Sequence, residues 1–338
     1  KTKEKLMNNL KKIGISALAG SLAAFSANAV EMSVAGSAKV TYMSQNTDET
    51  TGNPFGMNTS LSFSGSGDVN GYATSLVITN NDANSGLSSA AISVDMGDMG
   101  TVHFDQGVGK GGLSTIDDMM PTAYEESWDG MDAAATTSSN GLVGLGNSGV
   151  FVYENTFDGT KFSGSFGKGS QAANSDDTSS ATGAGSSWDF ALTNGSLMDG
   201  MNVGAGYGQI NNGNGDAKVG SSDTDTHMTA FVTYAMGPVT VGYQQTVRED
   251  NTQAGIDEEA TSMGVAVNLM DGVSVSYNDR EIDFRNASAA NVTEDATGIA
   301  LAYTMGSAAI KVQHNETDNN DGGTTSDERT EIALSLAF

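Results

Sequence analysis

The sequence predicts an all-β fold, a sixteen-stranded antiparallel transmembrane β-barrel. Three observations carry this. Segments of about 9–11 residues alternate apolar and polar side chains along almost the whole chain, as lipid-facing and lumen-facing positions do. The connections between them alternate short and long. Outside the first 29 residues, no apolar run approaches the roughly 20 residues that a transmembrane helix needs.

The 338 residues include Gly 43, Pro 3 and Cys 0. Abundant glycine without helix-length apolar patterns argues against an α/β fold, and the lack of cysteine excludes disulfides and thiolate metal sites. Met7–Lys12 (MNNLKK) is basic, Ile13–Ser26 is apolar, and Ala27-Asn28-Ala29 closes with small residues. This is the pattern of a secretory signal peptide cleaved after Ala29. The residues before Met7 (KTKEKL) read as an upstream extension, and 30–338 as one barrel domain. Cleavage leaves 10 bases against 40 acids. Such a charge speaks against nucleic acid or an anionic surface as partner.

The expected strands, in order, begin with Glu31–Met43, Met57–Ser66, Tyr72–Thr79, Ser88–Met96 and Thr101–Asp105. Then come Gly149–Asn155, Thr160–Lys168, Ser187–Asn194, Met201–Ile210, Thr226–Met236 and Pro238–Val247. Ala260–Leu269, Gly272–Glu281, Ala296–Met305, Ala308–Glu316 and Arg329–Phe338 complete the set. In the first strand Met32, Val34, Val40 and Tyr42 alternate with Ser33, Lys39 and Thr41. Seven links are tight (GDVNG, GDMG, FDG, GSLMDG, MGP, MDG, MGS). The eight others are long and rich in Asn, Asp, Ser, Thr and Gly. Short turns at one end and long loops at the other mark an outer-membrane barrel; a soluble sandwich has no reason to segregate them. The polar face is built from small residues such as Ser33, Ser62, Ser163 and Ser276, which suits a water-filled lumen. Aromatics sit near strand ends, as interfacial girdles do: Tyr42, Trp188, Tyr207 and Tyr277 toward the long loops, and Tyr72, Tyr234, Tyr303 and Phe338 toward the short turns.

The third long link, Gln106–Ser148, spans 43 residues and carries Asp117, Asp118, Glu125, Glu126, Asp129 and Asp132 against one base, Lys110. Structureless links beyond about 12–15 residues are usually functional or disordered. Alternation points Lys39, Lys161, Arg248, Arg280, Lys311 and Arg329 inward, with Glu331. Lys311, Arg329 and Lys39 share one patch once the barrel closes.

Several stretches resemble the general diffusion porins of Gram-negative outer membranes, particularly the alphaproteobacterial type. They are GVFVYENTFDGTKFSGSFG (149–167), YAMGPVTVGYQQ (234–245), NLMDGVSVSYND (268–279), GIALAYTMGSAAIKV (298–312) and the terminal RTEIALSLAF. The turn ENTFDG lacks the Pro often found there, and arginine is scarce. The resemblance covers essentially all of 30–338. It implies a homotrimer in outer-membrane lipid that admits small hydrophilic solutes and ions. It also implies that Gln106–Ser148 folds into the lumen as the constriction loop, and that Phe338 acts as the assembly signal.

An acidic loop against a basic wall sets a transverse field in a narrow, low-dielectric passage. Because acids outnumber bases, a modest cation preference is expected. The acids Asp117–Asp118, Glu125–Asp129 and Asp223 with Asp225 offer oxygen ligands for a structural Ca²⁺, though no twelve-residue calcium loop is present and solvated charge is the preferred reading. His103, His227 and His314 are scattered, the first two facing inward and the third outward. No catalytic motif accompanies them, and Gly107–Gly112 matches GxGxxG with no helix to follow. The expectation is a channel and not an enzyme; the alternative is an adhesive or structural barrel with a closed lumen.

Overall fold

The computed structural model describes residues 29–45, 53–81, 88–109, 111–131, 148–168, 186–211, 224–249, 256–286 and 291–338. The signal-peptide segment before Ala29 and loop residues Lys110 and Asp132 lie outside them. The strands are β1 (Ala29–Gln45), β2 (Phe55–Val69), β3 (Tyr72–Asn81), β4 (Ser89–Asp95), β5 (Thr101–Gln106) and β6 (Ser148–Phe157). They continue as β7 (Thr160–Lys168), β8 (Ser186–Asn194), β9 (Met201–Asn211), β10 (Thr224–Met236) and β11 (Val239–Glu249). The last are β12 (Ile256–Met270), β13 (Val273–Asn286), β14 (Val292–Met305), β15 (Ala308–Asp318) and β16 (Asp327–Ala337).

Each strand pairs antiparallel with its neighbours, and β1 closes on β16. A bilayer has no water to satisfy backbone groups, so only a closed sheet leaves no edge unpaired. The seam pairs Ser37 with Ala337 and Tyr42 with Ile332. It ends where the backbone N–H groups of Gly36 and Phe338 donate to each other's carbonyls at 2.8 and 2.9 Å. Gly36 leaves room for the Phe338 ring, which a Cβ there would meet at 2.6 Å.

Period-2 alternation sets the two faces. Ile92 is 49% exposed on the outer wall, while its neighbour Ala91 is 2% exposed toward the lumen. Five of the seven short links are two residues long. At Asn70-Gly71 and Asp158-Gly159 both residues have positive φ, as the hairpin turns that match sheet twist require.

Several strands outrun the sequence expectation at the long-loop end, and the reason is local. Above the apolar band the polarity of β13 inverts. Ile282 and Phe284 are buried inward beside Ala260, and Asp279, Glu281 and Asp283 take the outward positions. The pairing of β12 with β13 nevertheless continues to Ile256↔Asn286, so a reading tuned to lipid-facing apolar residues stops too early.

Candidate pore constriction

Residues 111–131 of the long third link lie inside the barrel, along the wall from β6 to β16 and β1. The root is held at β5, where Val108 N–H donates to Asp105 Oδ1 at 2.7 Å. Gly111 and Gly112 then pass so close to the wall that a Cβ on Gly112 would collide with Asp189. Gly112 N–H donates to Ser163 Oγ at 2.7 Å and Leu113 N–H to Asp189 Oδ1 at 3.0 Å. A single 3₁₀ turn, Leu113–Thr115, follows. It drives Leu113 and Ile116 into a buried cluster with Ala191 and Phe231. Each side chain of that kind contributes about 1.5–3 kcal/mol when fully removed from water.

Beyond this point the wall meets the loop with glycines and side-chain amides. Gly206, Gly242, Gly264 and Gly298 lie under Leu113, Met120, Pro121 and Ser127 respectively; a Cβ at Gly298 would stand 2.8 Å from Ser127 Cα. Interior strand glycines mark places where another backbone comes close. The amides hold that backbone. Gln244 Nε2 donates to the carbonyls of Ile116 (2.8 Å) and Asp117 (3.1 Å), and its Oε1 accepts from Met119 N–H at 2.9 Å. Asn278 donates to Pro121 O at 3.2 Å. Gln313 accepts from Glu125 N–H at 3.1 Å and donates to Glu126 O, and Asn315 donates to Glu126 O at 3.0 Å. No role was attached to these positions from the sequence, although the alternation that turns the wall bases inward turns them inward too. Their glycine and amide pattern was the available signal.

The tip rests on two aromatic anchors. Trp128 covers Arg280, whose guanidinium carbon lies 4.3 Å from the ring centroid. Arg280 is buried and donates to Glu294 at 3.3 Å. Tyr124 donates its hydroxyl proton to Glu331 at 2.5 Å and accepts from Lys39 at 3.2 Å, with Lys311 Nζ 4.8 Å above its ring. Arg329 donates to Asp129 O at 3.2 Å and to Glu331 at 2.5 Å. Tyr124→Phe removes a hydrogen bond to a charged acceptor, of the kind worth about 1.5–3 kcal/mol. Residues 124–131 are expected to become more open to protease while the barrel keeps its heat-modifiable mobility.

Of the six inward bases, Lys39, Lys311 and Arg329 converge on Tyr124 and Glu331 as one patch. They meet the loop by direct contact and not across a gap: Lys39 lies 3.7 Å from Glu125. Arg280 meets the loop through Trp128. Lys161 pairs with the wall carboxylate Glu154 at 2.6 Å and Arg248 with Glu258 at 2.7 Å. Wall glutamates therefore neutralise most of the wall bases, a pairing invisible to alternation.

The loop acids respond to this setting. Burial inside the barrel pushes the Asp117 carboxyl up to about 6. Burial, then the adjacent Glu126 carboxylate, which also shares a hydrogen bond with it, pushes Asp118 up to about 8. Asp118 is nonetheless open to lumen water, which offsets part of the burial penalty and leaves the Glu126 neighbour as the more durable cause. Burial also raises Glu125 and Asp129, against the lowering influence of Lys39 and Arg329 respectively.

At mid-height on β2 to β4 the inward wall is small and neutral, with Ser62, Ser64, Ser75 and Ser93, and β5 adds the buried His103 and Asp105. Toward the short turns a cavity of about 750 Å³ lies against this side. Its lining includes Glu31, Asp68, Asp95, Ser66, Ser93 and His103, and no Lys or Arg. His103 bonds Ser93 at 2.7 Å and Glu154 at 3.3 Å. His227 is buried in the wall, and His314 lies on the outer face.

Among solved structures, the chain is similar to a loop-deletion mutant of OmpT, an outer membrane protein of Vibrio cholerae. The identity is 13% and the TM-score 0.66, over 91% of this chain and 99% of that one. OmpT in a trimer form gives 13% identity and TM-score 0.64, over 91% and 99%. An anion-selective porin from Comamonas acidovorans gives 14% and 0.62, again over 91% and 99%. No curated protein matches the chain. A family model described as Gram-negative porin matches residues 14–323. The chain therefore belongs to the Gram-negative porins, outer-membrane barrels whose lumen carries small solutes by passive diffusion.

Proposed function

We propose that this porin prefers cations and works as a homotrimer of channels, with residues 1–29 removed on export and no catalytic role. The observation that carries the cation preference is the distribution of charge along the lumen. Most wall bases are matched by Glu154, Glu258, Glu294 and Glu331, whereas Asp118 is open to the lumen and a cavity toward the short turns is lined by three carboxylates and no Lys or Arg. A narrow site lined by one sign of charge concentrates the opposite ion and excludes its own. Fast passage requires that binding along this path be weak. The similar fold from Comamonas acidovorans is described as anion-selective, so a cation preference on this scaffold would rest on side-chain charge and not on topology.

Reversal potentials across planar bilayers in a KCl gradient are the test. The expected sign is that of a potassium-preferring pore, and at about pH 9, where Asp118 is ionised, Asp118→Asn should lower the permeability ratio. A chloride-preferring potential would sink the reading. Trimerisation is supported by the trimer form of the similar OmpT and is checked by SDS-resistant mobility before and after heating.

A further inference from the structure

At the long-loop end of the outer wall, the sheet register creates a conflict that the pore does not explain. Glu316 on β15 stands directly opposite Glu328 on β16, and Asp295 on β14 directly opposite Asp318. Like charges facing each other across a ladder work against pairing. Beside the first pair is His314, opposite Thr330. Its Nδ1 is hydrogen-bonded to Thr330 Oγ1 at 2.8 Å. Its Nε2 lies 3.3 Å from Glu316 Oε1 and 3.7 Å from Glu328 Oε1. One ligand atom from each of the three residues falls within 4.8 Å of the others.

All three side chains point away from the lumen, since Lys311, Gln313 and Asn315 take the inward positions. They also stand beyond the apolar band. His314↔Thr330 lies two residues past Val312↔Ile332, the level at which Ile332 pairs with the girdle residue Tyr42. A cleft of about 290 Å³, lined in part by Asp295, Thr297, Glu316, Asp318, Ser326 and Glu328, opens beside them.

We propose that His314, Glu316 and Glu328 form a divalent-metal site of one nitrogen and two oxygen ligands, suited to Zn²⁺, that clips β15 to β16 at the outer rim. The spacing fits. Ligand atoms about 2.1 Å from a tetrahedral Zn²⁺ stand about 3.4 Å from each other, close to the two distances from Nε2. The donor set fits as well. An imidazole nitrogen selects a borderline cation such as Zn²⁺ over Ca²⁺ or Mg²⁺, which favour oxygen throughout. The Thr330 hydroxyl holds the far ring nitrogen, as partners of metal-bound histidines do, and so fixes the ring's orientation. A cation here turns the Glu316–Glu328 repulsion into two attractions and leaves the remaining ligand positions open to water. The site does not depend on which ions the channel conducts.

The test is calorimetric titration of Zn²⁺ alone into the metal-stripped, folded protein in neutral detergent, with heat-modifiable mobility confirming that each variant has folded. One Zn²⁺ per chain is expected. Loss of an outer-shell partner already costs about 10–100-fold in metal affinity, so loss of a direct ligand in His314→Ala or Glu328→Gln should weaken binding at least about tenfold. Glu281→Gln, on the neighbouring acidic rim, should leave it unchanged. Ca²⁺ should bind at least about tenfold more weakly than Zn²⁺, in keeping with the nitrogen ligand. Absence of Zn²⁺ binding, an affinity unchanged in both ligand variants, or Ca²⁺ bound as tightly as Zn²⁺ would each overturn the assignment.

Discussion

Replacing Trp128 by alanine is expected to raise single-channel conductance and to make the open-channel current noisier, because the tip of the constriction loop loses its deepest anchor. Trp128 is 7% exposed and Arg280 beneath it 1%. Truncating a buried Trp to Ala costs about 3–5 kcal/mol, and a desolvated cation–π contact accounts for about 2 kcal/mol on that scale. The Arg280 guanidinium would then open to the lumen with Glu294 as its ion-pair partner. Leu113 and Ile116 are untouched, so the first half of the loop stays on the β8–β10 wall, while the tip around 128–131 loosens on the Tyr124, Asn315 and Arg329 contacts that remain. Arg280→Lys keeps the charge but loses the flat guanidinium stacked on the indole, and should give a smaller change of the same sign. Unaltered conductance and noise in Trp128→Ala would show that the tip is held elsewhere. Heat-modifiable mobility should be normal in both variants, since the backbone ladder is untouched and Arg280→Lys keeps a cation beside Glu294.

The second large effect is expected with pH. Asp117 and Asp118 are raised to about 6 and about 8, so both are neutral in acid and become charged across that window. Cation preference should therefore climb as pH rises from about 5 to about 9, in two steps. Asp118→Asn should delete the upper step. Glu126→Gln should move it to lower pH, because the neighbouring anion that disfavours the Asp118 charge is gone. Loop docking carries the matching sign. With folded values above those of free carboxyls, the docked loop binds more protons than the released one between about pH 4 and pH 8. Docking is thus strongest below that window, weakens as pH rises through it and levels off above. Reversal potentials recorded over the pH series read the first effect, and protease protection of residues 111–131 reads the second. A flat selectivity profile would rule out titration of these two acids in the permeation path.

Much of this was legible in the chain before folding. A strand has a side-chain period of two, so Lys39 between Ala38 and Val40 is assigned to the lumen by its neighbours alone, and the same reasoning places Arg280 and Arg329. Strand count followed from turn residues at fixed places, such as Asn70-Gly71 and Asp271-Gly272. The reading stopped short where the chemistry of the pattern changed. On β13, Ile282 and Phe284 turn inward above the membrane, and a criterion based on lipid-facing apolar residues ends the strand early. The pairing of Lys161 with Glu154, or of Arg248 with Glu258, depends on which rotamers meet across neighbouring strands, and alternation carries no information about that.

The chain's own pattern settled the barrel, its sixteen strands, the face each residue takes and the exceptional length and acidity of the third long loop. These are local properties, written in a two-residue period and in the chemistry of turns. The tertiary structure decided the course of residues 111–131 and hence the pore. Glycines at 206, 242, 264 and 298 clear a groove along the inner wall, and Gln244, Asn278, Gln313 and Asn315 supply the hydrogen bonds that fill it. These residues come from distant strands, and only barrel closure brings them under one loop. Closure also sets Lys39 of the first strand beside Glu331 of the last, so the charge facing a passing ion is what remains after neighbours have paired.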